Sequence, residues 1–468
     1  MEIQVANVVP IHKSFCMKSS DTVEQALDKI ATIDQSGYSL NSVLAVASDA
    51  REQARAYESS AEDLPLQGLP ILIKDNIEAI GLPATAGSLA LADTSVTSDS
   101  TIVKRLKEAG AVIIGATNLS EWANIRSDKS TSGWSSVGGL TANPWKHGHS
   151  AGGSSSGSGA AVAAGITQWA VGSETDGSII CPASLNGCVG IKPTVGSIPR
   201  DGMIPISASQ DSPGSMAQTV RQAALLLDVM SAKNEYEMAT QSTQPMRFGI
   251  VKEWMTANSE VNALFEETVS ALSKAGGTFV EVNLSPVTGV EHEDELLVLL
   301  YELSEGLGKY LQTRPGAKVS TLRDVIAFNN QHADSELQHF GQELFEKALE
   351  FESLKSEYQL AKTRNKQWAD SLLNHGLADV DVLLGCTYGP AWESSLTNGD
   401  NYESASWITT APAVAGTPIG TIPMGLVSGL PVGLGFVVGR DQESTLISAM
   451  ARAEETLNLG VLQPTFLK

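Results

Sequence analysis

The feature that most limits the fold of this chain is a recurring order of amphipathic helix, glycine and short apolar strand. Residues Ile102 to Ala109 carry apolar side chains at helical spacing, Gly110 breaks the run, and Ala111-Val-Ile-Ile114 follows as a strand. The order recurs along the chain. Leu69-Pro-Ile-Leu-Ile-Lys74 reads as a buried strand, Ala160 to Ala164 as helix and Trp169-Ala-Val171 as strand. Arg247 to Val251 reads as strand, Glu260 to Lys274 as helix and Thr278 to Val282 as strand. A first helix is expected over Ser19 to Gln35, capped by Ser20 or Asp21, with Val23, Ala26, Leu27 and Ile30 on one face. Val432 to Val438 is the last strand signal, and a helix over Glu443 to Leu457 closes the chain. Such alternation predicts an α/β fold with a large mixed sheet sandwiched between α-helices.

Two regions depart from the alternation. Residues from about Ser130 to Gly196 are dense in Gly and Ser but are interrupted by apolar segments, which fits ordered loops at a site better than a linker. Residues from about 291 to 375 are charged and helical, as in Glu343-Leu-Phe-Glu-Lys-Ala-Leu-Glu350, and are expected to form a helical insertion. No internal repeat or linker divides the 468 residues, so a single domain over 1–468 is expected.

The composition narrows the function. The net charge of −22 disfavours phosphate backbones and anionic lipid surfaces, so neither a nucleic acid nor a membrane is an expected partner. No apolar run is long enough to span a bilayer, and the N-terminus lacks the pattern of an export signal, so a cytoplasmic location is expected. Cys16, Cys181, Cys188 and Cys386 form no CxxC pair, which points away from a disulfide framework or a zinc site.

Lys74 is an unusual residue with which to end an apolar strand. Its stem can pack while the ammonium reaches solvent. Alternatively, a desolvated lysine is a base: at its ordinary pKa of about 10.4 only about one in 2,500 is neutral at pH 7, a cost of roughly 4.6 kcal/mol that burial offsets. Ile71, Leu72, Ile73 and Ile77 can supply the apolar surroundings.

The second element is Ala151-Gly-Gly-Ser-Ser-Ser-Gly-Ser-Gly159, which opens onto the small-residue helix expected after it. Such a loop can present backbone N–H groups to an anion, or can be a flexible linker. It lacks the GK[ST] of a P-loop. Gly153 to Gly157 matches G-x-S-x-G, but no strand precedes it, which rules out a nucleophile elbow. The third element, Gly172-Ser-Glu-Thr-Asp-Gly-Ser-Ile179, is expected as a tight turn after a strand, able to aim N–H groups at an oxyanion beside Ser178. His147 and His149 lie in a Gly/Pro loop without a nearby acid and are expected at the surface, not in catalysis.

Taken together, Lys74 in its strand, Gly152-Gly-Ser-Ser-Ser-Gly157 and Thr175-Asp-Gly-Ser-Ile179 resemble the amidase signature family. Cys181-Pro-Ala-Ser-Leu-Asn-Gly187, Gly190-Ile-Lys-Pro-Thr194, Pro412-Ala-Val-Ala-Gly416 and Leu430-Pro-Val-Gly-Leu434 extend the resemblance to the last strand, with a signature core at about 65–215. The resemblance implies a serine hydrolase with a Ser–cis-Ser–Lys triad: nucleophile Ser178, bridging Ser154 after a cis Gly153–Ser154 bond, and base Lys74. It implies an oxyanion hole from the N–H groups of Thr175, Asp176, Gly177 and Ser178, with Ser155 as a supporting hydrogen-bond partner. It requires no cofactor and no metal.

Asn118 to Arg126, Ser132-Gly-Trp134, Gly172 to Ser178 and Ile204 to Asp211 resemble the bacterial peptide amidase branch of the family, which implies release of ammonia from C-terminal peptide amides. Asp176, a glycine in many relatives, can hold the loop or hydrogen-bond substrate. The lead-in Ala151-Gly-Gly153 and the segment 291–375 depart from that branch, so a general amidase on small aliphatic or aryl amides is the first alternative. The glutaminase subunit of a tRNA-dependent amidotransferase and an inactive binding protein on the same fold are the others. The expected partner is a small-molecule or peptide amide, and the expected state a monomer or homodimer.

Overall fold

The structure, a computed structural model, describes residues 18–59 and 64–467. Cys16 and the N-terminal stretch read for an export signal lie outside them.

Eleven strands form one mixed sheet. In chain order the strands are β1 (Val43–Val46), β2 (Pro70–Lys74), β3 (Val112–Thr117), β4 (Trp134–Ser135), β5 (Gly139–Leu140), β6 (Trp169–Glu174), β7 (Val189–Lys192), β8 (Ser212–Ala217), β9 (Arg247–Val251), β10 (Thr278–Val282), β11 (Val382–Cys386), β12 (Ile419–Val427) and β13 (Leu430–Val437). Across the sheet the order is β1-β3-β2-β6-β8-β7-β12-β13-β11-β9-β10, and β4 and β5 pair separately. β2 runs parallel to both β3 and β6, and β9 runs parallel to both β10 and β11; the remaining neighbours are antiparallel.

β2, β3, β6, β7, β8, β11 and β13 are buried along their whole length. Strands covered on both faces need no polar alternation, so β2 and β3 read as apolar runs, whereas β8 is Ser-Pro-Gly-Ser-Met-Ala. The helix Thr101–Glu108 carries the chain from β2 to β3, and Ser259–Lys274 carries it from β9 to β10, as parallel pairs require. Between β10 and β11 lie five helices: Gly289–Leu311, Leu322–Gln331, Ala333–Glu336, Glu343–Phe351 and Lys355–Gly376. Their core of Leu300, Leu303, Leu307, Leu322, Val325 and Phe345 includes Trp122, Ile125, Ile204 and Ile206 from loops at the sheet's edge.

Several boundaries differ from the sequence reading. The first helix is Ser19–Lys29, its N-cap is Lys18, and a π-turn over Ile30–Asp34 replaces its expected end. Neither Ser20 nor Asp21 caps it, because both lie inside its first turn, where the Ser20 N–H donates to Glu58 Oε1 at 2.7 Å. The small-residue helix starts earlier, at Ser156, and β6 continues through Gly172 and Ser173 to Glu174. Gly172 and Ser173 stay in the ladder because they pair with Gly214 and Pro213 of β8, so the turn begins only at Thr175.

Candidate active site

β2 and β6 are parallel neighbours, with Ile73 opposite Val171, so their C-terminal ends meet at one edge of the sheet. Open α/β sheets bind ligands beyond such ends. Lys74 ends β2 there, and Ser173 and Glu174 end β6.

The Lys74 ammonium does not reach solvent; the side chain is fully buried. Nζ lies 2.8 Å from Ser154 Oγ, 3.0 Å from Ser173 Oγ and 3.2 Å from the Ser173 carbonyl oxygen. Burial pushes its pKa down to about 7, against the opposing pull of the Glu174 and Asp211 carboxyls. At neutral pH the amine is therefore available as an acceptor in a sizeable fraction of molecules. Asn76 Nδ2 donates to Ser173 Oγ at 2.9 Å, which fixes the hydroxyl that faces the amine.

Ser154 and Ser155 are buried in the loop ahead of the helix Ser156–Ala163. The Gly153–Ser154 bond is cis, as the family resemblance implied. The run is not a linker. Gly157 packs so closely that a Cβ would collide with the backbone oxygens of Ser42 and Asn118. Three of the run's N–H groups are not available to an anion, because they are satisfied internally. The Gly152 N–H donates to Ser150 Oγ at 3.1 Å, Ser155 N–H to the Ser178 carbonyl at 3.0 Å and Gly157 N–H to the Asn118 carbonyl at 3.0 Å. Ser155 Oγ donates to the Ser173 carbonyl at 3.1 Å and accepts from the Ser173 N–H at 3.2 Å. Ser155 thus clamps the loop to β6.

Free donors occur one turn further on. Among the described residues, the backbone N–H groups of Thr175, Asp176, Gly177 and Ser178 have no hydrogen-bond acceptor within the chain. Gly177 has φ +75°, and a Cβ there would lie 2.7 Å from the Tyr388 hydroxyl. The next two N–H groups, of Ile179 and Ile180, both go to Glu174 Oε2, at 2.7 and 3.0 Å, which closes the turn into the helix Ile180–Asn186. Asp211 holds the other side, accepting from Thr175 Oγ1 at 2.7 Å and from the N–H groups of Ile206 and Ser207 at 2.9 and 3.0 Å. Burial raises the carboxyl pKa of Asp176, while the Thr409 and Thr410 hydroxyls draw it back down.

These four residues and Gly153 line a cavity of about 230 Å³. Ile125, Ile206 and Leu299 give it apolar walls, and Tyr388, Tyr402 and Trp407 give it aromatic ones. Ser154 and Ser173 line instead a small pocket of about 10 Å³ that shares Ala123, Thr175 and Ile206 as wall with the cavity, and neither Lys74 nor Ser154 lines the cavity itself. Among the described residues no hydrogen bond joins the Ser154 and Ser178 hydroxyls. Beyond Tyr402 and Trp407 lies a larger cleft of about 960 Å³ that shares both rings as wall. His147 is exposed, but His149 is buried, contrary to the surface position expected for it. Its Nδ1 has no partner, and neither histidine lines the cavity.

The family model for amidases matches residues 21–447. The chain belongs to the amidase signature family. It is an amidase, a hydrolase of amide C–N bonds. It is 32% identical to a probable amidase of Arabidopsis thaliana, over 99% of this chain and 92% of that one. It is 33% identical to a glutamyl-tRNA(Gln) amidotransferase subunit of Exiguobacterium sibiricum, over 98% of each chain. The crystal structure of native peptide amidase from Stenotrophomonas maltophilia superposes with a TM-score of 0.89 at 38% identity, covering 97% of this chain and 96% of that one.

Sequence reasoning named Lys74, Ser154, Ser155 and the loop 175–178, and the fold brings all of them together. It gave no role to Asn76, Ser173, Glu174, Gln210, Asp211 or Glu295. Ser173 and Glu174 lay inside Gly172 to Ile179, and Gln210 and Asp211 inside Ile204 to Asp211, which was the available signal; Asn76, two residues past Lys74, and Glu295 had none. Among the described residues no group of three or more His, Cys, Asp or Glu is arranged to hold a metal ion, and no helix is long and apolar enough to cross a membrane.

Proposed function

We propose that this amidase removes the C-terminal amide of peptides through Ser178, Ser154 and Lys74. The observation that carries the reading is the 2.8 Å contact of a buried lysine, its pKa near 7, with the hydroxyl of Ser154, whose neighbour Ser155 donates its N–H to the carbonyl of Ser178 beside the free N–H groups. Neutral Lys74 takes the proton of Ser154 as Ser154 takes that of Ser178, and Ser178 Oγ bonds to the amide carbonyl carbon. The relay requires the Ser154 and Ser178 hydroxyls to come within hydrogen-bond reach when the carbonyl is bound. The oxyanion is held by the N–H groups of Thr175, Asp176, Gly177 and Ser178, where loss of one donor typically costs about 3–4 kcal/mol. The proton then returns along the same path to the leaving nitrogen, the C–N bond breaks and ammonia departs. Water attacks the acyl-enzyme, restoring the Ser178 proton and releasing the acid. Ser155 keeps Ser154 in register with β6.

The peptide substrate is supported by the likeness to the Stenotrophomonas peptide amidase and by the cleft of about 960 Å³ that continues the cavity past Tyr402 and Trp407. In this reading the amide-bearing residue occupies the inner cavity and the preceding residues lie along the cleft. The likeness to the amidotransferase supplies a second reading, glutamine as ammonia donor.

Ammonia release separates these readings. Purified protein is given matched peptide amides, free glutamine and asparagine, and small aliphatic and aryl amides, with Ser178→Ala as the blank. A preference for peptide amides of tenfold or more in kcat/KM, about 1.4 kcal/mol of transition-state binding, is expected. Turnover of only small amides, or of glutamine alone, overturns the peptide reading.

A further inference from the structure

Gln210 and Glu295 lie outside the motifs that carry the chemistry, yet they reach its centre. Gln210 precedes Asp211 and is 3% exposed. Its Nε2 donates to Glu295 Oε1 at 2.7 Å and to the Thr175 carbonyl oxygen at 3.5 Å. The two N–H bonds of one carboxamide thus point to two acceptors, one on the helix Gly289–Leu311 and one on the loop 175–178. The Thr175 carbonyl belongs to the same planar peptide unit as the Asp176 N–H. Holding the oxygen therefore fixes the direction of that N–H on the opposite side.

Glu295 is 7% exposed and, among the described residues, forms no salt bridge. A buried carboxyl without a cation is costly unless it keeps its proton. Burial and the nearby Asp176 carboxyl both raise the Glu295 pKa well above the ordinary value. Its carbonyl oxygen then remains as a neutral acceptor for Gln210. Leu299, one turn further along the same helix and on the same face, lines the cavity.

We propose that Gln210, oriented by Glu295, is a positioning residue that aims the Asp176 N–H at the oxyanion. This rests on the oxyanion role given above to the loop 175–178. The helix Gly289–Leu311 thereby contributes to transition-state stabilisation as well as to the cavity wall.

The test compares Gln210→Leu, Glu295→Gln and Glu295→Leu with wild type on one peptide amide. It also measures the Ki of a trifluoromethyl ketone that mimics the tetrahedral adduct, with circular dichroism and fluorophosphonate labelling of Ser178 as controls. Gln210→Leu is expected to lower kcat about 10- to 100-fold with KM within about threefold, and to weaken the ketone by a similar factor. Glu295→Gln keeps an acceptor in place and is expected to stay within about threefold of wild type in both readouts, whereas Glu295→Leu should behave like Gln210→Leu. An unchanged kcat in Gln210→Leu, or a fall in kcat without weaker ketone binding, overturns the proposal. Equal losses in Glu295→Gln and Glu295→Leu overturn it as well. If Gln210→Leu does not fold, Gln210→Met and the Glu295 pair make the same comparison. Absence of labelling at Ser178 in wild type would instead refute the serine mechanism, so the two failures are distinguishable.

Discussion

Lys74→Met removes the buried amine while keeping an unbranched chain of similar length, and it tests the burial argument independently of turnover. In the unfolded chain the lysine has its ordinary pKa of 10.5; in the folded protein burial lowers it to about 7. Because the folded value is the lower one, the unfolded state binds the proton more tightly and the group works against folding. The deficit is full below pH 7, shrinks as pH rises and is gone above about 10.5. Those two values give a deficit of roughly 4 kcal/mol at pH 7 and roughly 2 kcal/mol at pH 9. The substitution also strips hydrogen bonds from Ser154 and Ser173, a loss of about 1–3 kcal/mol that does not depend on pH. The stability of Lys74→Met relative to wild type should therefore fall by about 2 kcal/mol between pH 7 and pH 9. Urea unfolding of both proteins at each pH reads this directly. The same titration predicts that wild-type kcat/KM rises about tenfold per pH unit below neutrality and levels off above it. A stability difference that is equal at the two pH values, together with a flat rate profile from pH 5 to 9, would mean that burial does not deprotonate Lys74.

Ser178→Ala is expected to abolish turnover and fluorophosphonate labelling while leaving the circular dichroism spectrum unchanged; residual ammonia release above the uncatalysed rate would assign the nucleophile elsewhere. Gly177→Ala combines a left-handed backbone, which costs about 1–2 kcal/mol for a residue with a Cβ, with a collision at the Tyr388 hydroxyl. A drop in kcat of at least about tenfold is expected, and Tyr388→Phe in the same chain should restore only part of it. Arg126 is fully buried, 2.7 Å from Glu121 and 3.7 Å from Glu336, with its guanidinium over the Phe340 ring. Burial already pushes the Glu121 pKa up to about 8 with the guanidinium in place, so Arg126→Ala acts by leaving a cavity and the Glu336 carbonyl oxygen without its donor; it should cost about 2–5 kcal/mol of stability in urea, and a loss below about 1 kcal/mol would refute that role.

The candidate catalytic residues were legible because each sits in a short local motif whose composition makes little sense otherwise: a lysine closing an apolar strand, and serines packed among glycines. The groups that hold them were not. Ser173 looks like one more serine in a turn until β6 is seen to continue through it, and Glu174 becomes a loop brace only once the chain doubles back. Glu295 lies 85 residues from Gln210, and nothing local marks it. The helical and parallel parts of the fold were legible for a similar reason, since long apolar patterns report burial. β8, Ser-Pro-Gly-Ser-Met-Ala, was not, because its residues suit a close ladder against Gly172 and Ser173 rather than β-propensity. β12 was missed because Pro423 and Gly425 sit at a bulge inside it.

The cavity is assembled from two unlike sources. Its reacting edge belongs to strand ends and to the turn Glu174 braces, where few side chains can change without loss. Its outer walls, Ile125, Leu299, Tyr402 and Trp407, come from loops and from the helices between β10 and β11, and no hydrogen bond of theirs reaches Lys74 or Ser154. Substrate range can therefore drift while bond cleavage is conserved. For an engineer, randomising those four positions explores new acyl groups on a scaffold whose reactivity is already built.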